Sequence, residues 1–154
     1  EEGQGARIVF QAIGNIGRTG LAGTALGVLN ACLESATKHA NERELFGKPI
    51  SRLQAIQWQI SDIWMDLQMA KMLCYQASWM IDQGLRCDAE IAAAKLHATE
   101  ASVRCAKKTV DIFGGYGYLM EYPVQRYYRD AECLIASAGT SEVMRIVIAR
   151  SALG

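Results

Sequence analysis

Residues 53–84 read LQAIQWQISDIWMDLQMAKMLCYQASWMIDQG, and this stretch decides the fold. Small and apolar residues fall at Leu53, Ile56, Ile60, Ile63, Leu67, Ala70, Cys74, Ala77 and Ile81, alternating steps of three and four. On a helix of about 3.6 residues per turn that spacing makes one continuous stripe, so it predicts a long helix seamed against other helices. Asp82, Gln83 and Gly84 form the stop, with Gly84 suited to the left-handed position after the last turn. Trp58, Trp64 and Trp79, with Met65, Met69, Met72 and Met80, also follow helical spacing and mark either core or a subunit surface.

Downstream, Asp88 followed by Ile91 opens a second helix whose seam reads Ala92, Leu96, Thr99, Val103, Ala106, Val110 and Phe113, ending at Gly114 and Gly115. Upstream, Ile8, Ala12, Ile16, Leu26, Leu29, Leu33 and Ala36 carry one stripe along residues 6–42, read as a single long helix. Gly14, Gly17, Gly20, Gly23 and Gly27 lie within it, each costing about 0.8–1 kcal/mol against alanine. Their spacing makes a smooth face for close approach of a backbone or a flat ligand. A last helix runs from Ser141 to about Ser151 with Thr140 as N-cap, preceded by a short helix around Val124–Arg129. Strand signals are absent. The expected fold is an all-α, antiparallel four-helix bundle filling residues 1–154.

Composition bounds the function. The 154 residues suit one domain, and 51% apolar with 21% charged residues gives enough material for a core. Sixteen Lys plus Arg against sixteen Asp plus Glu give zero net charge, which excludes the electrostatic footprint of a nucleic-acid binder. The five cysteines Cys32, Cys74, Cys87, Cys105 and Cys133 form no C-x-x-C pair, arguing against a disulfide framework or a zinc site and for a reducing cytoplasm or organelle matrix. No apolar run of about 18 residues occurs, and Glu1-Glu2-Gly3-Gln4-Gly5 lacks the regions of a signal peptide, so membrane insertion is not expected.

Three segments are not explained by bundle packing. In Glu42-Arg43-Glu44-Leu45-Phe46-Gly47-Lys48-Pro49, followed by Gln54, Arg43 is a forked cation suited to phosphate and Phe46 a face for a planar ring. Asp111-Ile112-Phe113-Gly114-Gly115-Tyr116-Gly117 allows close backbone approach to a ligand and offers N–H donors. Ala138-Gly139-Thr140-Ser141-Glu142 opens a helix with free N–H groups and hydroxyls, an arrangement that receives anions. Each alone also reads as ordinary structure: a surface turn, a helix stop under aromatics, and a plain cap. His39 and His97 stand alone, and no nucleophile triad or metal cluster can be drawn.

In this order and at these separations the segments, with Gly3-Gln4-Gly5, Arg18, Lys95, Tyr122-Pro123, Arg129-Asp130-Ala131 and Arg150, resemble the C-terminal domain of the acyl-CoA dehydrogenase family of flavoproteins. The resemblance covers nearly the whole chain. It implies that a helical N-terminal domain and a middle β domain are absent from this chain, and that the whole protein is a dimer or tetramer. It further implies FAD as cofactor, an acyl-CoA substrate oxidised at its Cα–Cβ bond, and an electron-transfer flavoprotein as acceptor, in a bacterial cytoplasm or mitochondrial matrix. Arg43, Phe46 and Gln54 are implied to contact FAD, with Asp111, Gly114 and Gly115 reaching the same flavin from a neighbouring chain. Thr140, Ser141 and Glu142 are implied to lie along FAD, and Arg18, Ala138 and Gly139 beside the acyl-CoA. Asp111 stands where many relatives carry a glutamine.

The resemblance departs at the general base. The family's glutamate usually precedes the Gly-Thr pair, here Ala138, and in branches such as the isovaleryl-CoA dehydrogenases it precedes the first-helix arginine, here Gly17. Neither accepts a proton. The N–H of Ala138 remains available to polarise a thioester carbonyl. Three outcomes follow: a family reaction needing no base in this domain, such as a desulfinase-like elimination or a reduction; a base from elsewhere, with Glu142 the nearby carboxylate; or a flavin- or acyl-CoA-binding relative that has lost dehydrogenation, with a non-catalytic helical assembly module as the rival from a different class. The isolated chain is expected to be inactive.

Overall fold

The computed structural model describes residues 3–154; Glu1 and Glu2, on which the reading of the N-terminus partly rests, lie outside the described residues. The stripe that opened the sequence reading becomes helix α3, Gln54–Asp82, which buries Ile63, Leu67, Ala70, Cys74 and Ala77. Leu53, Ile56, Ile60 and Ile81 close the same seam as half-buried residues. Gly84 takes φ +66, as the stop requires. Trp58, Trp64, Trp79, Met65, Met69 and Met72 are exposed and Met80 packs at the edge, so this set forms a surface and not core.

Helix α4, Asp88–Phe113, is central: it packs against α2 (Arg18–Glu42), α3, α5 (Val124–Ala136) and α6 (Ser141–Leu153). Its buried residues therefore exceed one stripe and include Ile91, Ala94, Ala98, Ala101 and Cys105 beside the predicted Ala92, Thr99, Ala106 and Phe113. Small side chains let four neighbours close around one helix at native packing density. Asp66, the buried carboxylate among the described residues, receives a 2.9 Å bond from Arg104 of α4, so the ion is paired where α3 meets α4.

Three expectations change in detail. Residues 6–42 are not one uniform α-helix: α1, Gly5–Ala12, passes into a π turn, Ile13–Gly17, before α2. Such wide turns recur at functional sites, and this one delivers Gly17 and Arg18 to the site described below. The absence of strands is corrected by a hairpin of β1, Glu44–Leu45, and β2, Lys48–Pro49, with Phe46 at φ +55 and Gly47 at φ +73. Positive φ at both central residues matches the twist of a two-residue hairpin, and strands of two residues leave no alternation to read. Finally, α5 runs to Ala136 rather than ending near Arg129, anchored by buried Val124, Ala131 and Leu134.

The glycines of α2 leave a bare face, since no atom of this chain lies within 4 Å of a Cβ built on Gly20, Gly23 or Gly27. Among the described residues no helix is long and apolar enough to cross a membrane, and no cluster of His, Cys, Asp and Glu suits a metal.

Candidate functional site

Between α5 and α6 the chain makes a left-handed turn, with Ala138 at φ +52 and Gly139 at φ +111. Glycine suits the second position because L side chains rarely adopt φ +111, and a Cβ there would also press on the flexible end of Met144 at 2.9 Å. Two cations hold the carbonyl side of this turn. Arg18 Nε donates to the Ala138 carbonyl at 3.4 Å, and Lys95 Nζ donates to the Gly139 carbonyl at 2.8 Å and the Ile135 carbonyl at 2.6 Å. In a trans peptide the N–H points opposite to its C=O, so the N–H groups of Gly139 and Thr140 face away from the cations. Among the described residues the N–H groups of Ala138 and Thr140 donate to no backbone carbonyl, whereas the turn over Ser137 and Ala138 directs the Gly139 N–H back towards the last carbonyls of α5. The turn is a row of donors suited to an anion or to an oxygen that gains negative charge.

Gly17 meets this turn across the fold. A Cβ built on it would lie 3.7 Å from Ala138 Cβ, so the two positions where the resemblance implies a glutamate stand side by side, and both lack a carboxylate. Arg18 is half-buried with no carboxylate at ion-pair distance among the described residues. It lines two adjoining grooves of about 520 and 790 Å³, with Arg86 shared by both, Arg150 in the first and Arg7 in the second. Arg86 is partly engaged by Asp88, at 3.1 Å.

Thr140 and Glu142 are exposed, whereas Ser141 is buried and its Oγ has no hydrogen-bond partner among the described residues. The Thr140 hydroxyl, and after it the backbone N–H of Glu142 itself, hold the Glu142 carboxyl below the usual carboxylate range. Glu142 thus stands in the first turn of α6 with its charged form favoured, which makes it a poor general base. Burial, followed by the nearby Arg18 charge, pushes the Lys95 ammonium below the ordinary lysine value.

A second constellation forms at the opposite ends of α2 and α4. The Arg43 guanidinium stands over the Tyr116 ring at 5.4 Å, and His39 stacks on Phe113 at 3.9 Å. Burial, then Arg43, lowers the His39 pKa. Arg43, Asp111, Gly114 and Gly115 line one cavity of about 310 Å³. Within a single chain the arginine and the glycine turn therefore share a wall. Gly114 takes φ +60, and no atom lies within 4 Å of a Cβ at Gly114 or Gly115, leaving room for a flat group. Phe46 is 89% exposed at the hairpin tip and Gln54 is exposed at the start of α3. Asp111 accepts a bond from Lys107 at 2.7 Å, which directs its carboxylate along the helix surface. Thr140, Ser141 and Glu142 do not line this cavity.

A cation, exposed aromatic surface and bare glycine backbone fit a dinucleotide carrying a pyrophosphate and a flat ring, and so fit FAD. Sequence reasoning gave no role to Lys95, Arg7 or Arg86. Lys95 enters the sequence only as part of the resemblance, without a task, and the arginines show their convergence only once the π turn faces the α3–α4 connection.

Residues 3–153 match the family model described as acyl-CoA dehydrogenase, C-terminal domain. The chain is 39% identical over its whole length to an acyl-CoA dehydrogenase of Bacillus subtilis, of which it covers 40%. It is 40% identical over 149 residues, 97% of this chain and 36% of the relative, to the mitochondrial short-chain specific acyl-CoA dehydrogenase of Rattus norvegicus. The solved structure of butyryl-CoA dehydrogenase from Megasphaera elsdenii superimposes with TM-score 0.97 at 36% identity, over 100% of this chain and 40% of that one. The chain thus spans about two fifths of the length of these proteins. It belongs to the acyl-CoA dehydrogenase family, in which it corresponds to the C-terminal helical domain.

Proposed function

We propose that this chain is the C-terminal domain of a longer FAD-dependent enzyme acting on the Cα–Cβ bond of an acyl-CoA, preceded by a helical and a β domain. The observation that carries the reading is the turn at Ala138, whose carbonyls rest on Arg18 and Lys95 while the N–H groups of Ala138 and Thr140 have no backbone acceptor among the described residues. Such donors suit a thioester oxygen, which gains negative charge when the α-carbon loses a proton. The arginines beside the turn suit the phosphates of CoA.

FAD, when bound, supplies the hydride acceptor for Cβ. Arg43, Phe46 and Gln54 hold the cofactor, with Asp111, Gly114 and Gly115 reaching the same flavin. Thr140, Ser141 and Glu142 lie along the cofactor, and Arg18, Ala138 and Gly139 orient the acyl thioester. The α-proton is moved by a group from outside this chain, since Gly17 and Ala138 cannot take it and the Glu142 carboxyl is held below the usual carboxylate range. The exposed Trp and Met face of α3 supports assembly into a homo-oligomer. An electron-transfer flavoprotein is the expected electron acceptor, and a bacterial cytoplasm or mitochondrial matrix the expected location.

The lack of a carboxylate at both Gly17 and Ala138 also favours a second reading, in which the reaction runs as a reduction or a desulfinase-like elimination and needs no base there. The FAD content of the full-length protein tests the common core of both. Stoichiometric FAD supports an enzyme; an intact oligomer without FAD makes the domain a helical assembly module.

A further inference from the structure

Lys95 is fully buried in the middle of α4, yet no carboxylate lies at ion-pair distance from it among the described residues. A buried ammonium without an acidic partner is costly, and it persists only where other groups compensate it. Here the compensation is two backbone carbonyls. Ile135 lies in the last turn of α5, where carbonyls are left without helical partners and the helix carries partial negative charge. Gly139 lies four residues on, across the left-handed turn. One ammonium therefore receives both ends of residues 135–139, at 2.6 and 2.8 Å, and Ala138 rides between the two held ends.

We infer that Lys95 is the positioning residue of the thioester site: it fixes the direction of the Ala138–Thr140 donors from the side opposite the substrate. This rests on the functional reading above, in which a thioester oxygen accepts from that turn. The geometry assigns the task to Lys95 in particular. The neighbouring anchor, Arg18 Nε, reaches the Ala138 carbonyl only at 3.4 Å, a weak bond, and sits in the open grooves where substrate lies. Lys95 touches neither groove. With its ammonium removed, the carbonyls of Ile135 and Gly139 lose their donor inside the protein, and the peptide between Gly139 and Thr140 is free to rotate.

The test uses the full-length flavoprotein carrying this chain, with crotonyl-CoA as probe and carbon-13 at its thioester carbonyl. Infrared difference spectra read the carbonyl stretch, which falls when donors polarise the bond. Wild type is expected to lower the stretch of bound crotonyl-CoA. Lys95→Met, which keeps the volume and removes the donors, is expected to lose at least half of that downshift while affinity for free CoA is unchanged. Lys95→Arg, which keeps a charge with different geometry, is expected to fall between the two and carries the test alone if Lys95→Met does not fold. A Lys95 that only stabilises the bundle would lower the melting temperature and leave the downshift intact, and that result overturns this inference alone. A wild type that binds crotonyl-CoA no more tightly than free CoA, with no downshift, overturns the functional reading and this inference with it.

Discussion

Ala138 and Gly17, separated by 120 residues of chain, face each other so closely that a β-carbon on Gly17 would touch that of Ala138 at 3.7 Å. The two alternative locations of the family's glutamate are thus one place approached from two backbones. Ala138 already holds φ +52, so a glutamate there adds little backbone strain beyond what alanine bears. Gly17 is helical, and the 3.7 Å approach is ordinary van der Waals contact, so a side chain there is also admitted.

Ala138→Glu or Gly17→Glu in the full-length flavoprotein should therefore fold and accelerate flavin reduction by butyryl-CoA by about 10²–10⁴-fold, the usual contribution of a positioned general base. The double variant should do no better than either single one, because two carboxylates in one spot raise each other's pKa. Stopped-flow traces under anaerobic conditions read both. Additive gains in the double variant would show that the two positions act separately.

The seam of α3 was legible because nine residues repeat one helical spacing without interruption, and Gly84 because a left-handed stop favours glycine. The π turn was not, since a wider turn uses the same residues as an α-helix and differs only in hydrogen-bond register. The end of α5 escaped because Val124, Ala131 and Leu134 are too widely spaced among charged residues to make a stripe. In the site, resemblance named Arg18, Ala138 and Gly17 individually, but nothing in spacing tells that they touch. Lys95 was hidden for a different reason: its partners are backbone carbonyls 40 and 44 residues away, which no side-chain pattern marks.

Gly117 packs where a Cβ would stand 2.6 Å from the Val110 carbonyl oxygen. Gly117→Ala must shift the turn that carries Gly114 and Gly115, with an expected loss of about 1–3 kcal/mol, the usual cost of overpacking. Urea midpoints measure the loss, and FAD affinity should fall with it. Unchanged stability would mean that the turn is looser than its packing indicates.

Four cysteines are buried and Cys133 is exposed. A thiol reagent should label Cys133 first and leave Cys32, Cys74, Cys87 and Cys105 until unfolding. Burial pushes Cys32 and Cys74 up from 9.0 to about 11. The folded state then holds a proton that the unfolded state releases, so their contribution is intact below pH 9.0 and is lost as pH rises from there towards about 11. Denaturation of wild type against Cys74→Ala across that window should show the steeper alkaline loss in wild type. Equal slopes would contradict the burial of Cys74.

Arg43, already held over Tyr116, is poised to meet a cofactor phosphate. Arg43→Ala should weaken FAD binding to the full-length protein by about 1.5–3 kcal/mol, the range for hydrogen bonds to charged groups. Fluorescence titration of the apoprotein measures it, and an unchanged dissociation constant would remove Arg43 from the cofactor site.

Anaerobic mixing of the purified full-length protein with a panel of acyl-CoA thioesters, followed by its visible flavin absorbance, tests the central claim most directly. The account predicts bound FAD that at least one saturated acyl-CoA bleaches, with the α-proton leaving to a group outside this chain. A flavin that no thioester bleaches, but that becomes bleachable once Ala138→Glu or Gly17→Glu restores a carboxylate, would contradict it and show that the natural protein does not oxidise acyl-CoA.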